Sequence, residues 1–202
     1  MATERDPWQR ALFRLNQHDV DASGLVVVDE FGSNLDLTRI YARAPRGVRA
    51  VQDVPRNTPL NTTTIAALTL QGMGPALMVE GGVNRATIEV YLEHVLGPTL
   101  RAGQIVLLDN LSAHCAGRVR EIIEARGCHL RYLPPYSPDF SPIELAFSKV
   151  KSRLCRAAAR THTALEDAIA NALSLISSAD AQAFFAHCGY CSKPNLDQYF
   201  CS

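Results

Sequence analysis

The sequence lacks any apolar run that approaches the roughly 20 residues needed for a membrane-spanning helix. Its first residues are charged and contain no apolar core of the kind that a secretion signal carries. Its six cysteines follow neither the spacing of a disulfide framework nor that of a zinc site built from two ligand pairs. We therefore expect a cytoplasmic, reduced protein with free thiols and no membrane partner.

A basic excess is also absent, because 20 Lys and Arg residues balance 20 Asp and Glu residues. Proteins that bind nucleic acid usually carry such an excess, so the neutral balance argues mildly against that class. The cations are nevertheless clustered in two segments, each of which is either a solvated surface or a track for phosphate groups. The clusters comprise Arg39, Arg43, Arg46, Arg49 and Arg56, and then Lys149, Lys151, Arg153, Arg156 and Arg160.

Two common catalytic motifs are missing as well. No Gly-Lys pair occurs in the chain, which excludes the phosphate-binding loop of a P-loop ATPase. The GxSxG motif is also absent, so nothing supports a serine hydrolase of the α/β-hydrolase type. The sequence therefore argues against both of these enzyme classes.

The apolar pattern predicts one α/β domain with a mixed five-stranded sheet flanked by helices. Continuous apolar runs at 25–28 and 105–108 are typical of strands buried on both faces. Further strands are predicted at 62–70, 76–79 and 128–133, whereas residues 32–60 look rich in loops. Helical spacing predicts helices over 85–100, about 112–125, 142–160, and one or two within 164–187.

Two of the predicted strands stop at an aspartate, Asp29 and Asp109. If these strands are neighbours, both carboxylates emerge at one edge of the sheet, and like charges that close repel unless a cation lies between them. Oxygen ligands of this kind favour Mg²⁺ or Mn²⁺, and such a site suits phosphodiester chemistry. The alternative is that each aspartate simply ends its strand as a turn residue.

Glu144 is the third candidate ligand, and it also has two interpretations. Residues 141–144, Ser-Pro-Ile-Glu, match a helix start with serine as the N-cap, proline at the first position and glutamate at the third. A capping box alone would explain the glutamate. The two roles are separable, because glutamine can replace glutamate in a capping box but not as an anionic metal ligand.

The segments around these acids resemble a known family. LVVVDE (25–30), LLDNLSAH (107–114) and YLPPYSPDFSPIELAFSKVK (132–151) resemble the catalytic domain of the mariner-related bacterial insertion-sequence transposases. Members of this DDE superfamily of endonucleases carry an aspartate–aspartate–glutamate triad. The 34 residues between Asp109 and Glu144 fit the spacing characteristic of that superfamily. The resemblance extends from about residue 25 to residue 190.

The resemblance implies a ribonuclease H-like fold in which Asp29, Asp109 and Glu144 hold Mg²⁺ (or Mn²⁺). It also implies cleavage of DNA at transposon ends, transfer of the 3′-hydroxyl end to target DNA, and a homo-oligomer that acts on paired ends. Residues 25–190 would then form the catalytic domain, preceded by an N-terminal arm or linker remnant (1–24) and followed by a C-terminal tail (191–202). The expected location is the bacterial cytoplasm, in association with the nucleoid.

The chain departs from the family before the first strand. Full-length relatives carry helix-turn-helix modules there, and about 24 residues are too few for one such module. We therefore expect a separately encoded helix-turn-helix part to read the terminal repeats. A ribonuclease H-like nuclease that does not transpose, and an inactive DNA-binding or assembly remnant, stay open as alternatives.

Candidate DNA contacts follow the acidic positions. His114 lies five residues after Asp109 and is either a phosphate contact or a helix-capping residue. Asn110 either orients the site through its amide or forms a turn. Glu30 is a weaker candidate ligand, because alternation along a strand points it away from Asp29. The predicted DNA contacts are Lys149, Lys151, Arg153, Arg156 and His114.

Overall fold

The computed structural model describes residues 6–17, 20–39, 41–55, 61–110 and 117–191. Its five-stranded sheet has the order β3-β2-β1-β4-β5, in which β1, β2 and β3 are antiparallel neighbours and β4 and β5 run parallel to β1. The mixed sheet that the sequence predicts is confirmed. The strands are β1 (Leu25–Ser33), β2 (Thr62–Thr69), β3 (Gly72–Glu80), β4 (Ile105–Leu108) and β5 (His129–Tyr132).

Helices cover both faces of this sheet. They are α1 (Pro7–Gln17), α2 (Arg85–Val90), α3 (Gly117–Glu124), α4 (Pro142–Ala157), α5 (His162–Ser174) and α6 (Ser178–His187). The predicted helix over 85–100 is α-helical only in its first part, since α2 continues as a π-helical turn and then a short 3₁₀ turn. None of the helices in the described ranges is both long and apolar enough to cross a membrane.

Two hydrophobic clusters explain why the central strands are apolar throughout. Val27 and Leu107 belong to a cluster shared with α4, α5 and α6, whereas Val28 and Leu108 belong to a cluster with α2 and α3. Alternate side chains of β1 and β4 therefore enter different layers, as expected for strands buried on both faces.

The first strand is longer than predicted. β1 continues through Asp29 to Ser33 because the antiparallel partner β2 pairs with it along this whole stretch, from Asp29↔Ala66 to Ser33↔Thr62. Asp29 therefore lies inside a strand, and its interpretation as a turn residue is wrong. Asp109, in contrast, does follow the last residue of β4 directly.

The long connection between β1 and β2 is loop-rich as predicted, since residues 34–39 and 41–55 contain no helix or strand. Its beginning is fastened to the end of α4, where Arg160 Nη1 donates to the carbonyl oxygens of Leu35 (2.8 Å) and Leu37 (3.1 Å). Arg160 thus serves the loop instead of a DNA track. Arg39, Arg43, Arg46 and Arg49 are exposed, and Arg56 lies outside the described residues.

Candidate active site

The two aspartates are brought together by neighbouring parallel strands. Val27 on β1 pairs with Leu107 on β4, so continuing both chains by two residues leads to Asp29 and Asp109. Because side chains two residues apart share a face, both carboxylates point to the side that Val27 and Leu107 occupy. This is the side covered by α4, at the carboxyl ends of the parallel strands, where open α/β sheets commonly bind ligands.

Glu144, at the start of α4, lies on the same side of the sheet as the two aspartates. It is the third residue of the helix, and Pro142 occupies the first position as the sequence predicts. Ser141 is the N-cap but, within the described part of the chain, its side chain makes no capping hydrogen bond. The capping-box interpretation is therefore wrong, and the exposed Glu144 is left to serve the cavity that it lines.

One cavity of about 320 Å³ is lined by all three acids and by Asn110. Its remaining boundary is a proline-rich wall, which we define as residues 133–141. Those wall residues that face the cavity are Leu133, Pro134, Pro135, Tyr136, Ser137, Pro138 and Ser141.

The wall contains functional candidates that the sequence analysis missed. Tyr136 is 58% exposed and has φ 52°, a left-handed conformation that few non-glycine residues adopt. Backbone strain of this kind tends to occur at functional sites. The density of prolines immediately before Glu144 favours an ordered loop, but it does not show which of the loop's side chains face the acids.

The electrostatics of the cavity centre on Asp29. Burial raises the pKa of Asp29 to about 8, and the negative charges of Glu30, Glu144 and Asp109 add to the increase. A hydrogen bond from the Glu30 N–H to Asp29 Oδ1 (2.8 Å) opposes it by stabilising the carboxylate. Glu144 and Asp109 are thus close enough for their charges to act on the half-buried carboxyl of Asp29.

The carboxylates are not grouped tightly enough to form a metal-binding cluster in the described part of the chain. Among the residues that the structure describes, no three acidic, histidine or cysteine side chains are grouped closely enough to hold one ion. The donor chemistry nevertheless fits a hard divalent cation, because all three side chains offer carboxylate oxygens. The raised pKa of Asp29 is caused chiefly by burial, and the neighbouring acids add to it, so a bound cation would favour the ionised form of this carboxyl.

The predicted DNA contacts separate into different environments. Lys149 Nζ lies 2.6 Å from Asp180 Oδ2 on α6, so this charge has a partner within the protein. Its role as a phosphate contact stays a prediction. Lys151, Arg153 and Arg156 are exposed on α4. The Lys151 ammonium lies 5.9 Å from the centroid of the Phe31 ring, which places it close to the strand that carries Asp29.

A shallow groove continues from this surface. Arg156 lines it together with Arg39 and Tyr41 from the β1–β2 connection. His114 falls outside the described residues. Glu30 is half-buried on the opposite face of β1, as alternation predicts, although its charge still reaches Asp29.

A comparison with protein families identifies the family of this chain. Residues 24–166 match the family model described as DDE superfamily endonuclease, which covers more than half of the chain, and the chain therefore belongs to this family. The prediction of a DDE endonuclease is confirmed at this level. The assignment to bacterial insertion sequences is a finer statement that stays a prediction. No curated protein matches the chain.

Solved structures of Mos1 transposase share the fold. The Mos1 transposase paired-end complex with left transposon end has a TM-score of 0.71 and 15% identity over 93% of this chain and 62% of that chain. The catalytic domain of Mos1 mariner transposase has a TM-score of 0.63 and 14% identity over 93% and 88%, respectively. The ribonuclease H-like fold is therefore confirmed. The chain spans less than two thirds of the Mos1 chain in the paired-end complex.

Proposed function

We propose that this chain is the catalytic domain of a DNA transposase, which cuts phosphodiester bonds at transposon ends and joins the ends to target DNA. One observation carries the proposal: Asp29, Asp109 and Glu144 come from three separate elements and line one cavity in a DDE-family fold. The fold is shared with Mos1 transposase complexes that contain a transposon end.

Asp29, Asp109 and Glu144 would hold Mg²⁺ or Mn²⁺. An ion held by these residues would supply the charge that activates the attacking water or 3′-hydroxyl and stabilises the leaving oxygen. The three carboxylates would fix the position of the cation, and the half-buried Asp29 would give up its proton when the cation binds. Mos1 paired-end complexes with Mn and with Mg have this fold, which supports the choice of metals.

The proposed partners are DNA and a second copy of the chain. Lys151, Arg153 and Arg156 supply an exposed cationic surface on the helix that carries Glu144, suited to phosphate groups next to the cleavage site. On α1, Trp8, Leu12 and Leu15 form an exposed apolar stripe at helical spacing, which favours self-association. A separately encoded helix-turn-helix part would recognise the transposon ends in the bacterial cytoplasm.

A nicking and joining assay with Mg²⁺ or Mn²⁺ tests this proposal. A pre-cut DNA end serves as the substrate because it bypasses part of the recognition step. We expect both activities in the unmodified chain and neither in Asp109→Ala. Nicking without joining would identify a nuclease that does not transpose. If neither activity occurs while Asp109→Ala still binds DNA, the chain is a binding or assembly protein.

A further inference from the structure

Helix α1 contacts the outer side of the proline-rich wall through hydrogen bonds. Arg10 Nη1 donates to Ser137 Oγ (2.6 Å) and Asp139 Oδ1 (3.0 Å), and Arg10 Nη2 donates to Asp139 Oδ2 (2.6 Å). The Arg10 side chain is only 11% exposed. A two-pronged, charge-assisted contact of this kind fixes orientation as well as distance.

Helix α1 also contacts Phe140, through an aromatic ring and a guanidinium group. The Phe13 ring stacks on the Phe140 ring with 5.1 Å between centroids, and the Arg10 guanidinium lies 4.5 Å above the same ring. The Tyr190 hydroxyl donates to the Phe140 carbonyl oxygen (2.9 Å). At the other end of α1, Gln17 Nε2 donates to the Cys188 carbonyl oxygen (2.6 Å), which anchors the helix beside the same region.

Residues Pro138–Phe140, which α1 contacts, form a short 3₁₀ turn that leads directly into Ser141 and α4. In the described structure Ser141 gives α4 no side-chain cap, so the contacts of the preceding turn help to fix the helix start together with the buried Ile143. Just before this turn, Tyr136 holds a left-handed backbone conformation, which persists only where its surroundings enforce it. Arg10 and Phe13, which contact residues directly after Tyr136, precede the family match at 24–166.

We propose that α1 is a brace for the catalytic cavity and that Arg10 is a positioning residue. By fixing Ser137 and Asp139, Arg10 sets the turn that presents Glu144 towards Asp29 and Asp109. The catalytic consequence rests on the proposed function. The brace itself is a property of the folded chain that can be measured without any activity.

Hydrogen exchange and steady-state kinetics on the full chain test the brace. The variants are Arg10→Ala, Asp139→Ala, their combination and the conservative Arg10→Lys. The matched control is Arg120→Ala, which breaks the exposed Arg120–Glu124 ion pair on α3 (3.0 Å), away from the cavity. The readouts are amide exchange over residues 136–144, the thermal midpoint, and kcat and KM on a pre-cut DNA end.

We expect Arg10→Ala to accelerate amide exchange over 136–144, with β1 and β4 unchanged, because local opening can occur without global unfolding. kcat should fall about 10-fold or more, as for groups that orient metal ligands, while KM for DNA stays the same. Arg10→Lys should restore part of the loss, since lysine lacks the planar two-pronged contact. The double variant should lose no more than either single variant, because both remove one interaction.

Several outcomes would overturn the brace. The first is amide exchange over 136–144 that is as slow in Arg10→Ala as in the wild type. The others are losses of kcat that add up in the double variant, or a loss of kcat in Arg120→Ala as large as that in Arg10→Ala. A raised KM with unchanged kcat would instead make Arg10 a DNA contact. If Arg10→Ala fails to fold, Arg10→Lys carries the same comparison. If the unmodified chain neither nicks nor joins DNA, the proposed function fails, while the exchange measurement still decides the brace.

Discussion

The protonation of Asp29 couples the proposed active site to the stability of the fold. The pKa of this carboxyl is raised from 3.8 to about 8, chiefly by burial. Between these values the folded chain holds a proton that the unfolded chain has lost, so this group makes stability fall as pH rises. The slope is at most about 1.4 kcal/mol per pH unit, and it flattens above the folded-state pKa.

Urea unfolding of metal-free protein at pH 5, 6, 7 and 8 measures this effect. Asp29→Asn removes the titrating group, so its free energy of unfolding should gain on the wild type as pH rises across this window. Adding Mg²⁺ should reverse the trend in the wild type alone, because the cation stabilises the ionised carboxylate. Parallel pH profiles for the two proteins would contradict the raised pKa.

Glu144 offers a second test at the scale of one side chain. Glu144→Gln keeps the helix start and should change the free energy of unfolding by no more than about 0.5 kcal/mol, as for other exposed positions. Activity should fall by more than about 100-fold, since losing the partners of metal ligands alone costs 10–100-fold. Glu166→Gln on the exposed face of α5 is the matched control. Retained DNA cleavage in Glu144→Gln would remove this residue from the site.

At the scale of elements, the sequence was most informative where burial alone decides the structure. The apolar runs 25–28 and 105–108 require strands covered on both faces, and they place Asp29 and Asp109 at one edge. The length of β1 was not predictable, because pairing with β2 carries the strand through two acids. The pairing of Lys149 with Asp180 was equally hidden, since it depends on how α6 packs against α4.

Arg156 in the last turn of α4 and Arg160 just after the helix are expected to have different roles. Arg160 satisfies two carbonyl oxygens of the β1–β2 connection, so Arg160→Ala should lower the free energy of unfolding by about 1–3 kcal/mol. Arg156 is exposed in the groove beside Arg39, so Arg156→Ala should leave stability unchanged and weaken DNA binding. Urea unfolding and a DNA titration on both variants distinguish the roles. Equal effects of the two substitutions on both measurements would show that the assignment is mistaken.

At the scale of the whole molecule, zero net charge means that DNA binding has to depend on local surfaces instead of an overall field. The exposed cations Lys151, Arg153 and Arg156 share α4 with Glu144, whereas Glu121 and Glu124 on α3 are paired with arginines of their own helix. A neutral chain can therefore present a local cationic surface beside the cavity that the three acids line. The affinity for DNA should therefore be modest and dependent on a few phosphate contacts.

The salt dependence of DNA binding counts these contacts. Each substitution of Lys151, Arg153 or Arg156 by alanine should reduce the slope of log K against log salt by about 0.9, because one phosphate contact is lost. The matched control is the double variant Lys149→Ala/Asp180→Asn, which deletes a paired cation together with its acid. Its slope should equal that of the wild type, since a cation already neutralised within the protein releases no counterion from DNA. A control slope that falls by the same amount would place Lys149 on the DNA and Asp180 away from it.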